Sequence, residues 1–291
     1  MERLLALSIP PLGPIRRRVF SQNGQGKTKG QFRLGYCPNS PDSGDTNDTA
    51  MITEEDFIDF TCPYCRDAVS FPMQHRDSLQ QCPMCFESLV VPEKPGEAGR
   101  KIALPFSTER LALRRLGPAD WQDLLDIMSD EETFRYTSGH PLDEEAILRW
   151  LESDAHVKLT TPDQPFCLGL ALREGGKLIG YAGLRLSAPD LLQAHVTIHL
   201  NRAFQKQGFA LEALKAVLRF CFQDTRLHRV TATCDSRNSA AVKLLEKAGL
   251  RREGEFVKDN ILHGEWTNTL CYAALREEYT EPAAAQQASQ T

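Results

Sequence analysis

One short turn of this 291-residue chain has the residue types and spacing that bind a phosphate through the backbone. It consists of Gln205, Lys206, Gln207, Gly208, Phe209 and Ala210. The turn follows a strand-like run at 194–200 and leads into an amphipathic helix. The first N–H groups of a helix have no partner within it and lie at the positive end of its dipole, and glycine permits close approach. The turn therefore predicts a site for the phosphate or pyrophosphate of a cofactor.

Four of the nine cysteines have the spacing of a metal site. They form two Cys-Pro-x-Cys pairs, Cys62 with Cys65 and Cys82 with Cys85. Two such pairs, each on a short turn, give the four-thiolate tetrahedron of a structural Zn²⁺ site. Disulfides are the alternative, which a reducing cytoplasm disfavours. Four thiolates complete the coordination shell, so we expect no catalytic zinc and place the intervening His75 at the surface.

The surroundings of these cysteines are acidic. From Glu54 to Lys94 the sequence has eight Asp or Glu residues and three Arg or Lys residues. Since a phosphate backbone requires the opposite sign, the unit is expected to be structural or to dock a protein, and nucleic acid is not an expected partner. The whole chain has a net charge of −5 and no apolar run near the roughly 20 residues that cross a bilayer. Its first ten residues make a poor signal peptide, so we expect a cytoplasmic location.

The composition divides the chain into five parts. We expect a disordered N-terminal extension at 1–50, a zinc ribbon at 54–92, a linker at 93–101, an α/β domain at 102–280 and a disordered tail at 281–291. Met51 opens the regular sequence and is an alternative start. Hydrophobic periodicity in the α/β part predicts strands at 111–116, 166–173, 177–186, 194–200, 229–234, 251–257 and 266–274, and helices at 118–129, 142–155, 209–222 and 239–247.

Several stretches of the α/β part occur in the order of a known family. They are the strand at 107–114, the turn Gln205-x-x-Gly208-x-Ala210, the segment 238–250 and the triplet 252–254. Together they resemble the GNAT superfamily of N-acetyltransferases, in particular the RimJ/RimL-like branch that acetylates protein N-terminal amines. The resemblance covers about residues 104–279. It implies an α/β (α+β) GNAT fold, a mixed central sheet with splayed strands and flanking helices, here preceded by a small zinc-ribbon domain.

The resemblance also implies acetyl-CoA as the co-substrate. Its pyrophosphate is expected on the backbone N–H groups of the turn at 205–210. Its pantetheine arm is expected to pair with the strand edge at Ile198 and Leu200, as an added strand does. Asn238 is expected to contact the cofactor, and capping of the helix that follows it is the alternative or additional role.

Direct transfer to an amine requires a group that takes a proton from the ammonium. Where the family often has Glu, this chain has His195, with His199 four residues on and on the same strand face. Either histidine is a candidate base, and polar packing is the alternative for both.

The donor of a proton to the departing thiolate is less well defined. Ala241 stands where the RimJ/RimL pattern has Ser, and Leu245 stands where other GNAT enzymes have Tyr. Ser239 is the candidate substitute, with Ser236 and Tyr272 as alternatives.

Two functions are compatible with these features. The first is an acetyl-CoA-dependent N-acetyltransferase that acts on a primary amine, such as a protein N-terminus, by direct ternary-complex transfer, with the ribbon docking a substrate or partner. The second is a catalytically weak or inactive acyl-CoA-binding module that serves as a zinc-ribbon interaction protein, motivated by Ala241 and the missing Glu. The loop at 133–136 and the final strands are expected to shape the acceptor pocket.

Overall fold

The computed structural model describes residues 56–161, 163–187 and 191–279. The disorder expected at 1–50 and 281–291 therefore concerns residues outside the described part. Within that part, no helix is long and apolar enough to cross a membrane.

The cysteine-rich segment folds as two small antiparallel sheets. The first contains β1 (Phe57–Thr61) and β2 (Ala68–Pro72), and the second contains β3 (Leu79–Gln81), β4 (Ser88–Val90) and β5 (Arg100–Lys101) in that order. One Cys-Pro-x-Cys pair lies between β1 and β2 and the other between β3 and β4. β5 lies at the end of the segment expected as a linker and pairs with Leu89 and Val90. We call residues 56–101 the cysteine unit.

The rest of the described chain forms an eight-stranded mixed sheet with the order β12-β13-β11-β10-β9-β8-β7-β6. Its strands are β6 (Phe106–Ser107), β7 (Leu111–Arg115), β8 (Pro165–Leu172), β9 (Leu178–Leu186), β10 (Gln193–Leu200), β11 (Arg229–Asp235), β12 (Arg251–Leu262) and β13 (Glu265–Leu275). All neighbours are antiparallel except β10 and β11, which are parallel. This sheet confirms the fold class that the sequence predicts.

Helices cover both faces of the sheet. They are α1 (Trp121–Met128), α2 (Glu144–Ala155), α3 (Phe209–Arg219) and α4 (Ser239–Lys247). The apolar sides of α1 and α2 pack in one cluster with Tyr181 of β9, and those of α3 and α4 pack in another with the buried residues of β10 and β11. Successive side chains of β10 point to opposite faces of the sheet. Ala194 and Val196 are buried in the α3/α4 cluster, and His195 and His199 are therefore on the opposite face.

Three elements differ from the sequence prediction. The helix predicted at 118–129 is α-helical only from Trp121 to Met128 and is preceded by a 3-10 turn, Pro118–Asp120. The helix predicted at 209–222 is α-helical only to Arg219 and continues as a π-helical turn, Phe220–Asp224, in which Thr225 Oγ1 donates to Cys221 O (2.8 Å). The strand predicted at 251–257 extends to Leu262 because side chains bridge an irregularity between Phe256 and Asn260. There Asp259 accepts from Thr269 N–H, and Asn268 accepts from Lys258 N–H.

The cysteine unit shares its packing with the main sheet. Leu79 and Val90 are buried in the same apolar cluster as the residues of β7, β10 and α3. Ser88 Oγ lies 3.0 Å from Thr160 Oγ1 in a buried hydrogen bond, and Lys158 Nζ lies 2.6 Å from Glu87 Oε1. The unit is therefore fixed against the sheet by both apolar and polar contacts.

Candidate active site

β10 and β11 begin as parallel neighbours and then separate. Only three residue pairs join them, and the last is His195 with Thr231. Both strands continue past this pair, to Leu200 and Asp235. Among the described strands, none fills the gap between their facing edges. The gap opens toward the end of β10 that leads to α3.

The backbone directions along β10 show which residues face the gap. Just after β10, Asn201 N–H donates to Ile179 O of β9 (2.8 Å). On the other side of the strand, Ala194 O accepts from the side-chain Oγ1 of Thr231 on β11 (3.3 Å). Because successive residues of a strand direct their N–H and C=O groups to opposite sides, the even-numbered residues of β10 face β11.

Val196, Ile198 and Leu200 therefore present their backbone to the gap. The carbonyl of Leu200 already accepts a hydrogen bond from Gln205 Nε2 (3.1 Å). Of the two residues expected at this edge, Ile198 presents both backbone groups to the gap and Leu200 presents its N–H group. Val196, which the sequence analysis did not name, also presents both.

The turn after β10 directs backbone N–H groups outward. Lys206 and Gly208 have φ values of +60° and +86°, and α3 begins directly after Gly208. Within the described part of the chain, the backbone N–H groups of residues 206–211 have no hydrogen-bond acceptor. Alternating left-handed residues at a helix N-terminus form a concave set of donors that suits an anion. The ring of Phe209 is buried, so only its backbone faces this concavity.

Arg110 places a positive charge beside the turn, which the sequence analysis did not assign. Its Nη1 donates to Gln207 O (3.1 Å), and its guanidinium carbon lies 4.2 Å from the centre of the Phe209 ring. Nη2 lies 3.3 Å from the position that a Cβ on Gly208 would occupy. The guanidinium is thus next to the unpaired N–H groups.

Glu212 of α3 holds Arg110 in this position. Its Oε2 accepts from Arg110 Nε (2.7 Å), and its Oε1 accepts from the backbone N–H of Arg110 (2.9 Å) and from Thr108 Oγ1 (2.5 Å). Burial raises the pKa of Glu212, but the hydrogen bonds from Thr108 and Arg110 outweigh burial and lower it. The pair therefore stays ionised near neutral pH.

His195 lies where the two strands separate. Its Nδ1 is 3.2 Å from Thr231 Oγ1. The imidazole is half-buried, and burial followed by the nearby charge of Arg185 lowers its pKa. It is therefore neutral at neutral pH, which is the form that accepts a proton.

His199 has a different environment on the same strand face. Its ring stacks on Tyr181, with 4.8 Å between ring centres and 12° between planes. Burial lowers the pKa of its imidazole, and the imidazole forms no hydrogen bond with another described residue. Tyr181 in turn contacts the edge of Trp150. These contacts are those of a packed aromatic group.

The predicted residues after β11 are spread over α4 and β13. Asn238 Oδ1 accepts from Ala241 N–H (3.0 Å), so Asn238 caps α4. Ser239 is the exposed first residue of α4, and no hydrogen bond joins it to either histidine within the described chain. Tyr272 is buried, with its hydroxyl 3.4 Å from Glu246 Oε1. The structure therefore gives no direct contact between a candidate base and a candidate acid.

The four predicted cysteines lie together. Their sulfur atoms are all within 4.8 Å of one another, with Cys62 to Cys85 and Cys65 to Cys82 both at 3.9 Å. A disulfide would need about 2.05 Å. Tetrahedral Zn–S bonds of about 2.3 Å place sulfurs about 3.8 Å apart, so these residues fit a four-coordinate metal ion.

The two cysteine turns have the same local structure. Tyr64 N–H donates to Cys62 Sγ and Met84 N–H donates to Cys82 Sγ, each at 3.4 Å. Backbone donors of this kind stabilise thiolates. His75 is outside this cluster, as expected; its ring is partly rather than fully exposed, with Nδ1 3.0 Å from Gln80 Nε2.

Sequence comparison identifies the family of the sheet-forming part. The model of the acetyltransferase (GNAT) domain matches residues 110–251. The uncharacterized N-acetyltransferase YnaD of Bacillus subtilis (strain 168) is 30% identical over 174 residues, which are 60% of this chain and 98% of that protein. The cysteine unit lies before the matched domain.

Solved structures show the same fold. A GNAT-family acetyltransferase from Bacillus anthracis superposes with a TM-score of 0.55 at 26% identity, over 60% of this chain and 100% of the other. The spermidine N-acetyltransferase of Vibrio cholerae, solved in complex with CoA and spermine, superposes with a TM-score of 0.52 at 19% identity, over 59% of this chain and 99% of the other. The separated parallel strands, the donor-rich turn and the sequence match have one explanation: this chain belongs to the GNAT family of acetyltransferases.

Proposed function

We propose that this protein transfers the acetyl group of acetyl-CoA to the N-terminal amine of a protein. The observation that carries the proposal is the continuous path from the unpaired N–H groups at 206–211, along the open edge of β10, to His195. The part along the strand spans about five residues, or roughly 17 Å at 3.3 Å per residue. This suits an extended pantetheine arm between a pyrophosphate at one end and a thioester at the other.

The residues along this path have complementary roles in binding CoA. The backbone of the turn at 205–210 and the guanidinium of Arg110 would hold the pyrophosphate. The backbone of Val196, Ile198 and Leu200 would hydrogen-bond the pantetheine amides as a neighbouring strand would. Asn238 uses its Oδ1 as a helix cap, which leaves its Nδ2 donor for the cofactor.

The chemistry assigned to His195 is that of a general base. It removes a proton from the acceptor ammonium, and the resulting amine nitrogen attacks the thioester carbon. The C–N bond forms, the C–S bond breaks, and the second proton lost by the nitrogen passes, directly or through water, to the departing thiolate. Holding the two reactants in contact is expected to account for most of the rate.

An acid for the thiolate is not essential to this scheme. A thiol with a pKa near 8.5 leaves readily as the thiolate, and Ser239 or a water molecule then returns the proton. We assign Ser239 a supporting role and place His199, because of its stacking on Tyr181, in shaping the site.

A peptide acceptor is favoured by the surface next to β11. The β12–β13 hairpin exposes Phe256, Val257, Ile261 and Trp266, all more than half exposed. Such apolar side chains suit a polypeptide better than a small polycation. The RimJ/RimL-like motifs of the sequence also favour a protein N-terminus. The fold alone does not favour one acceptor, because an enzyme named for spermidine shares it.

We further infer that the cysteine cluster binds structural Zn²⁺ and that the cysteine unit docks the protein substrate or a partner. The unit is fixed against the main sheet, so it would act as a rigid extension of the catalytic surface. Met84 and Phe86, next to the second cysteine pair, are 47% and 61% exposed and are the residues that we assign to docking.

A matched pair of glycine variants tests CoA binding. Gly208→Asp adds a carboxylate to the turn, and Gly175→Asp makes the same change in the β8–β9 hairpin, where nothing lies within 4 Å of the added Cβ. Both glycines have positive φ, so the backbone strain is alike. We expect calorimetry to show that only Gly208→Asp loses CoA affinity, by more than tenfold. Equal affinities in the two variants would contradict the site.

An acceptor panel tests the substrate class. Thiol release from acetyl-CoA is measured with N-terminal peptides, polyamines and aminoglycosides. Turnover of peptides above the other amines supports the proposal. CoA binding with no turnover of any amine would instead favour the non-catalytic module. In the variant Met84→Ser/Phe86→Asn, the KM for a folded protein substrate should rise while that for its N-terminal peptide stays constant.

A further inference from the structure

The hydrogen bonds around Thr231 determine which nitrogen of His195 carries its proton. Thr231 Oγ1 lies 3.3 Å from Ala194 O and 3.2 Å from His195 Nδ1. A carbonyl oxygen only accepts, so the single hydroxyl proton of Thr231 is donated to Ala194. The hydroxyl oxygen is then left to accept, and its partner Nδ1 must carry a hydrogen.

A neutral imidazole has one N–H group. If that group is Nδ1–H, the lone pair is on Nε2. The donor and acceptor count at this one hydroxyl fixes the tautomer, whichever tautomer a free imidazole prefers. The chain of bonds runs from His195 Nδ1–H to Thr231 Oγ1–H to Ala194 C=O.

The location of this chain of bonds links it to the separation of the strands. His195 and Thr231 are the last pair that joins β10 and β11. Thr231 thus holds the imidazole at the closed end of the gap, and Nε2 of His195 has no hydrogen-bond partner among the described residues.

The charged surroundings of His195 are simple. On β9 its cross-strand neighbour is Arg185, which disfavours the imidazolium. On β11 its neighbour is the uncharged Thr231. No carboxylate within the described part forms an ion pair or hydrogen bond with the ring, so Thr231 is the one described side chain that hydrogen-bonds it.

We propose that Thr231 is a positioning residue that holds His195 in the Nδ1–H tautomer and directs its Nε2 lone pair to the acceptor amine. The proposal rests on the proposed function for the role of Nε2, but the tautomer is a property of the protein without substrate. Thr231 exchanges no proton with the reactants.

The direct test is ¹⁵N nuclear magnetic resonance of the histidine side chains in the full chain, with His195→Gln used to assign the signal. We expect the Nδ1–H tautomer in the wild type and in Thr231→Ser, which keeps the hydroxyl. Thr231→Val keeps the shape without the hydroxyl and should shift the ring toward Nε2–H. Thr233→Val, an exposed change two residues along β11, should have no effect. An Nε2–H tautomer in the wild type would overturn the proposal whether or not the protein is an acetyltransferase.

Kinetics supply the second readout. Thr231→Val should lower kcat about tenfold or more with little change in the KM for acetyl-CoA, and Thr231→Ser should restore most of the loss. If Thr231→Val folds and changes the tautomer but leaves kcat unaltered, the hydrogen-bond assignment holds and the role of Nε2 in catalysis is refuted. Equal losses in the Val and Ser variants would refute positioning by the hydroxyl.

Discussion

Arg110 and Glu212 are 102 residues apart in sequence, and their side chains meet at 2.7 Å beside the turn that follows β10. The contact ties the residue just before β7 to the helix whose N-terminus is the proposed pyrophosphate site. A guanidinium held in this way needs little further ordering when an anion arrives, which reduces the entropic cost of binding.

Arg110→Gln should therefore weaken CoA binding about tenfold, since one charge-assisted contact is lost near the pyrophosphate. Calorimetry with CoA and with pantetheine, which lacks the phosphates, separates this effect from general disturbance of the site. Only the CoA affinity should fall. Arg149→Gln, which removes an exposed partner of Glu145 on α2, is the control. A matching loss for pantetheine would argue that Arg110 has only a structural role.

The pH dependence of kcat/KM should reflect the lowered pKa of His195. An imidazole loses its function as a base when it is protonated, so activity falls as the pH drops through this pKa. Because burial and Arg185 both lower the pKa, the acid limb should lie below the ordinary value of about 6.5. Arg185→Gln removes one cause and should move the limb to higher pH. If neither Arg185→Gln nor His195→Gln changes the acid limb of the pH profile, a residue other than His195 is the base.

The sequence predicts local features of this protein well because they depend on neighbouring residues. The helix predicted at 239–247 ends at Lys247 and is followed by Gly249 with a φ of +93°, and the two cysteine pairs are close enough to share an ion. The separation of β10 and β11 followed from the family resemblance. The contacts of Thr231 and Arg110 could not be predicted, because they depend on strand register and on packing between distant segments.

Removal of the proposed zinc ion should destabilise more than the cysteine unit. Leu79 and Val90 are buried in the main apolar cluster, so loosening their hairpin exposes part of the core of the sheet. We expect one zinc per chain by elemental analysis and a lower unfolding temperature in Cys82→Ser, with a single transition. Cys271→Ser, outside the cluster, should keep the metal. Zinc-free wild-type protein with unchanged thermal stability would contradict the assignment.

Asp77 supplies the charge that joins the cysteine unit to the main sheet. Its carboxylate lies 3.0 Å from Arg100 and Arg226 and 3.4 Å from Arg276. One carboxylate thus faces three guanidinium groups, two of which belong to the segments flanking β11 and β13. These groups would repel one another without it.

Asp77→Asn should therefore lower the free energy of unfolding, by about 1–2 kcal/mol for a partly exposed cluster of this kind. Asparagine tolerates the left-handed backbone at this position, where φ is +49°, so the change removes charge without adding strain. Glu145→Gln, which breaks an exposed pair on α2, should change stability by less than about 0.5 kcal/mol. Urea titrations compare the two. Raising the salt concentration should reduce the loss of unfolding free energy in Asp77→Asn, because screening weakens the repulsion among the arginines. If Asp77→Asn is as stable as the wild type at low salt, the carboxylate does not have this role.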